Sequence, residues 1–174
     1  MRQILLLRGI NLGAHNRISM PELRLALERE GFADVRTYLQ SGNVVVSSDA
    51  PAEAQARQAL ANAFSLEVDV IVRTRDELAE VIARDPLGEV AVNPKRYQVS
   101  FLARELDAAA LRQLSALAAP SERLVVIGRE LYAWHPDGVA RSRLWARLAG
   151  RQLGVSATAR NWTTVTSLLA LADA

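Results

Sequence analysis

The strongest constraint on this chain is the order in which strand-like and helix-like runs follow one another, because that order allows few ways of pairing strands. Residues 3–8 carry the apolar run Ile4, Leu5, Leu6, Leu7 and read as a short buried strand. After a loop, Ser19 and Glu22 form an S-x-x-E capping box, with Ile18 and Leu23 at the two positions of a hydrophobic staple. The helix they open buries Leu23, Ala26 and Leu27 at helical spacing and stops at Gly31, a natural residue just past a helix end. Residues 35–40 and 44–47 are rich in strand formers and are separated by Ser41-Gly42-Asn43, which is hairpin chemistry. Pro51 lies early in an Ala-rich helix reaching about Phe64, and residues 68–72 supply a further strand. Strand, helix, strand, strand, helix, strand is the βαββαβ order of a ferredoxin-like unit.

The pattern then restarts. A second capping box, Thr74 with Glu77, opens a helix that Asp85-Pro86 ends. Residues 87–94, with Gly88, Asn93 and Pro94, are the best linker candidate. Beyond them come a strand at 97–103, a helix at 107–118 with Leu111, Leu114 and Leu117 inward, and a hairpin of 123–127 with 130–135 around Gly128-Arg129. Asp137 and Gly138 precede a helix running through about Leu153. After a short irregular or strand-like stretch, Asn161 caps a last helix over 162–171. The expectation is an α+β protein of two ferredoxin-like halves with antiparallel sheets, residues 1–90 and 95–174, alike in pattern although hardly in letters.

Composition narrows the chemistry. With 174 residues the chain can bury a core without metal or disulfide support. It has no Cys, which removes disulfides, thiolate zinc sites and cysteine nucleophiles together. His15 and His135 are its only histidines and have no metal-ligand spacing, so neither a metal nor another cofactor is expected. The short apolar run ending at Arg8 lacks the form of a signal peptide, and no run reaches the ~20 residues of a membrane span. A cytoplasmic protein is expected, with no membrane partner. The 21 basic residues nearly balance the 19 acidic ones, so a nucleic-acid partner is permitted but not demanded.

In a βαββαβ unit the loop after the first strand and the turn of the hairpin emerge at the same end of the sheet. That connectivity brings Arg8, Gly9, Asn11, Gly13 and His15 toward Gln40, Ser41, Gly42 and Asn43. Such loops are rich in backbone and amide donors and in Arg, and poor in acids, which suits an anion. Gly and Asn also make tight turns for purely structural reasons.

LLRGINLG, YLQSGNVV and the late ARNWTTVTSLL together resemble a widespread bacterial family of unknown function. Its members open with LLRGIN, then Val or Leu, then Gly, and close with RNW-x-TV. The resemblance covers essentially the whole chain. It implies a compact α/β protein of ferredoxin-like halves with no established activity, and by similarity its motif positions are Arg8, Gly9, Asn11, Gly13, Ser41, Gly42, Asn43, Arg160, Asn161, Trp162 and Thr164. Members often have a second glycine where this chain has Ala14, and commonly Lys where it has His15 and Arg17.

The leading expectation is therefore a small anionic or nucleotide-like ligand bound by Arg8, Gly9, Asn11, Gly13, Ser41, Gly42 and Asn43, with Arg160, Asn161 and Trp162 at the same cleft. Two alternatives stand beside it: an enzyme of unknown reaction using the same pocket, and a nucleic-acid or protein interaction module. The chain has no GxSxG, no GxxxxGK[ST] and no GxGxxG, and only His15 is placed to meet Ser41 as a base across the loops. Arg143, Arg147 and Arg151 fall at i, i+4 and i+8 beside Leu144 and Leu148, a stripe that suits a solvated helix face better than a phosphate track.

Overall fold

The computed structural model describes residues 1–174. In chain order its elements are β1 (Arg2–Leu7), α1 (Met20–Arg29), β2 (Ala33–Tyr38), β3 (Asn43–Ser47), α2 (Glu53–Phe64), β4 (Val70–Thr74) and α3 (Arg75–Arg84). These are followed by β5 (Tyr97–Leu102), α4 (Ala108–Leu117), β6 (Arg123–Ile127), β7 (Glu130–Trp134), α5 (Arg143–Ala149), β8 (Ala157–Asn161) and α6 (Trp162–Asp173). They form two compact units, one of Met1–Glu80 with Ser167–Ala174 and one of Val81–Thr166. No helix is long and apolar enough to cross a membrane.

The first unit has a four-stranded antiparallel sheet in the order β2-β3-β1-β4. Leu5 and Leu7 of β1, Val44 and Val46 of β3 and Val70 of β4 pack in one core with Leu23 and Leu27 of α1 and Ala56 and Leu60 of α2. Ile4 and Leu6, which point to the opposite face, are also fully buried. Burial on both faces explains why β1 is an unbroken apolar run rather than an alternating one. The Ser19 hydroxyl caps α1 by accepting from the Glu22 N–H (3.2 Å), and it donates to the Glu22 carboxylate (3.0 Å). In α3 the box closes fully: the Glu77 N–H donates to Thr74 Oγ1 (3.1 Å) and the Thr74 N–H to Glu77 Oε2 (2.8 Å).

The second unit repeats the arrangement, with antiparallel order β6-β7-β5-β8. Leu102, Leu131 and Ala133 meet Leu114 of α4 and Leu144 and Leu148 of α5 in its core. The two sheets share one strand order, position for position, and the expected pair of ferredoxin-like halves is the observed fold. The helix expected after Gly138 and through about Leu153 is shorter, because Gly138 turns at φ +82° and Ser142 becomes the cap, accepting from the Trp145 N–H at 3.0 Å. The helix ends at Gly150, whose backbone is extended, so Arg151 lies beyond it and the stripe of three arginines is not a single helix face. The strand-like stretch before Asn161 is a true strand, β8, paired with β5.

Candidate functional site

In the first unit the two motif loops lie side by side. The Leu7 N–H donates to Gly42 O and the Arg8 N–H to Asp69 O, both at 2.9 Å. Asn11, in the left-handed region at φ +54°, bridges them. Its Nδ2 donates to Ile18 O (2.8 Å) and to Gln40 O (2.7 Å), while its Oδ1 accepts from the Ile18 N–H (2.7 Å). Gly42 admits no side chain: a Cβ there would stand 2.7 Å from Leu7 Cβ and 3.0 Å from Ile10 Cδ1, at a φ of +82°. Asn43 is buried and donates from Nδ2 to Tyr38 O (3.2 Å) and Ser41 Oγ (2.9 Å).

The remaining polar side chains of the first loop also turn back on it. Asn16 Nδ2 donates to Gly9 O (3.3 Å) and Arg17 Nη1 to Gly13 O (2.9 Å). The left-handed residues of this loop are Gly9, Asn11, Gly13 and Asn16. Ala14 is not among them, so this chain does without the second glycine. The carbonyls of Gly9, Gly13, Asn16 and Ile18 are thus satisfied from within, whereas the N–H groups of Gly9, Gly13 and Ala14 make no intramolecular hydrogen bond. No acid occurs in residues 1–21 or 35–48.

Arg160, Asn161 and Trp162 belong to the second unit. Arg160 is buried on β8, with Nη1 donating to Thr158 Oγ1 (2.6 Å) and Ala159 O (2.9 Å). Burial pushes its guanidinium down to about 10, which leaves it charged at neutral pH. Asn161 caps α6 by accepting from the Thr164 N–H at 2.9 Å. Trp162 stacks on Tyr97 at 4.7 Å between ring centroids. Each of the three therefore has a structural task of its own.

A polar cluster that the sequence did not disclose lies at the start of α5. His135 is fully buried, its Nδ1 2.5 Å from Glu122 Oε2 and its Nε2 without a polar partner. The Ser142 hydroxyl donates to the same carboxylate oxygen (2.6 Å), and the Ala119 N–H donates to Glu122 Oε1 (3.0 Å). Burial acts to raise the Glu122 carboxyl, but the hydrogen bonds from Ser142, Ala119 and His135 outweigh it and hold the group below the usual carboxylate range. The geometry is not that of a nucleophile and its base. Ser142 is on the Nδ1 side at 3.4 Å, donates to the acid, and already accepts from Trp145, so no hydroxyl addresses Nε2. No spacing rule links positions 122, 135 and 142. The only signal in the sequence was a lone His directly after an apolar strand.

A family model described as "Protein of unknown function (DUF1697)" matches residues 1–132. Among solved structures the chain is similar to a conserved bacterial protein from Streptococcus pneumoniae. That likeness has 23% identity and a TM-score of 0.72 over 98% of each chain, which establishes a shared fold. No curated protein matches the sequence.

Proposed function

This chain belongs to the DUF1697 family of proteins of unknown function, and from its own geometry we propose that it is a cytoplasmic protein binding a small anionic or nucleotide-like ligand at the loops around Asn11 and Gly42. The observation that carries this reading is the asymmetry of the first loop. Its carbonyls at Gly9, Gly13 and Ile18 are occupied by the chain's own side chains, while the N–H groups of Gly9, Gly13 and Ala14 are not. Unused donors beside occupied acceptors give a positive local potential, and no carboxylate in either loop opposes it. Arg8 stands at the head of the loop, next to Gly9, as its nearest guanidinium in sequence.

Titrating phosphate, pyrophosphate and a nucleotide panel into isotope-labelled protein tests the reading. Saturable shifts of the Gly9, Gly13 and Ala14 amide resonances are expected, and Arg8→Gln should weaken the titration about tenfold, the loss of one charge-assisted contact. Amides in this loop that stay still with every ligand would overturn it.

A further inference from the structure

Residues 138–172 contain five arginines and no acidic residue. Three of them, Arg143, Arg147 and Arg151, line one groove of about 500 Å³ in the second unit together with Gln152, Gly150, Ala146 and Leu117. Of the six helical arginines elsewhere, four are matched to acids: Arg24 with Glu28, Arg57 with Glu53, Arg75 with Asp76 and Asp173, and Arg84 with Glu130; Arg29 and Arg112 are unmatched and stand on different helices, α1 and α4. Arg143, Arg147 and Arg151 have no such match. No carboxylate lines their groove, and none of the three forms an ion pair or side-chain hydrogen bond within the chain.

Positions 143 and 147 are one turn apart on α5, about 6 Å along its axis. The extended Gly150 then carries the chain off the helix so that Arg151 and Gln152 join the same groove. Like charges at that spacing repel one another and are destabilising in isolation. Three arginines bordering one concavity of small-molecule size gain from an occupant that is itself multiply charged. Leu117 and Ala146 supply a short apolar floor, and no aromatic side chain lines the groove to stack on a base.

We infer that this groove is a second anion site, independent of the loop site, which takes the oligophosphate part of a small molecule and does not read a base. One phosphoryl group reaches fewer guanidiniums than a chain of two or three, so affinity rises with the number of phosphates. Whether the phosphates are free or esterified to a nucleoside matters little, because nothing in the groove addresses the nucleoside.

Calorimetric titration with inorganic tripolyphosphate, pyrophosphate, monophosphate and a nucleoside triphosphate tests the assignment. Tripolyphosphate is expected to bind at least tenfold more tightly than monophosphate and within threefold of the nucleoside triphosphate. The Arg143→Gln, Arg147→Gln, Arg151→Gln triple variant should lose at least a hundredfold, and an unchanged melting temperature would show that it remains folded. Arg8→Gln should weaken only the loop site's component of the titration and leave unaltered the component that the triple variant removes, which separates the groove from the loop site. Absence of tripolyphosphate binding overturns the inference. So does a nucleic-acid duplex that outcompetes tripolyphosphate with the same arginine dependence, since that would make the groove part of a phosphate-backbone track.

Discussion

Asn11 uses both ends of its amide to close its own loop and to fasten that loop to the hairpin, and this task accounts for its identity more directly than contact with a ligand. Asn11→Asp replaces the donating Nδ2 with an oxygen facing Ile18 O and Gln40 O. It should cost about 2–3 kcal/mol in urea unfolding through two unmatched acceptors. Gly42→Ala should cost about 2–4 kcal/mol by the same measurement, combining a left-handed φ with overlap onto Leu7. At Glu122 the sign follows from the lowered carboxyl. Its contribution is present above the unfolded value near ~4.3 and is lost as pH falls through the lower folded value. Stability measured from pH 6 to pH 3 should therefore fall more steeply in the wild type than in Glu122→Gln, with the two curves converging at the acid end. At this scale the sequence disclosed where the loops meet, from connectivity. It did not disclose that Asn11, Asn16 and Arg17 hydrogen-bond back to their own loop, since an amide or guanidinium that satisfies its own loop has the same letter as one that waits for a ligand.

Among the elements, those with local stop and start signals were legible and those fixed by their surroundings were not. The Thr74–Glu77 box placed α3 because both partners are encoded three residues apart. Thr74→Ala should lower stability by about 1 kcal/mol in thermal or urea unfolding, the ordinary worth of an N-cap. The end of α5 was misplaced because nothing in Leu148, Ala149, Gly150 forbids a helix. The observed break follows from the extended backbone of Gly150, and beyond it Leu153 joins the core. β8 was half-seen for a similar reason. Of residues 157–160 only Thr158 is a strand former, and their ladder with β5 decides the matter.

The molecule as a whole has a first unit that is discontinuous in sequence, with Ser167–Ala174 grouped with Met1–Glu80. Within this unit Arg75 holds Asp173 at 2.7 Å and Arg36 donates to Ala174 O at 2.9 Å. Leu168 and Ala172 of the returning segment are buried. Deleting residues 167–174 should therefore cost at least about 3 kcal/mol in denaturant unfolding, mainly through the lost burial of Leu168. Asp173→Asn alone should leave the denaturant midpoint nearly unchanged, because its ion pair with Arg75 is solvated. The discontinuity also sets an order of events during synthesis. A nascent chain has all of β1 to β4 in hand early, but the eight residues that complete their unit leave the ribosome only after Val81–Thr166. At about 5–20 residues per second that is a wait on the order of 4–17 s. Of the two units the one begun first is finished last, and any early pairing of its sheet stands through that interval without the segment that returns to it.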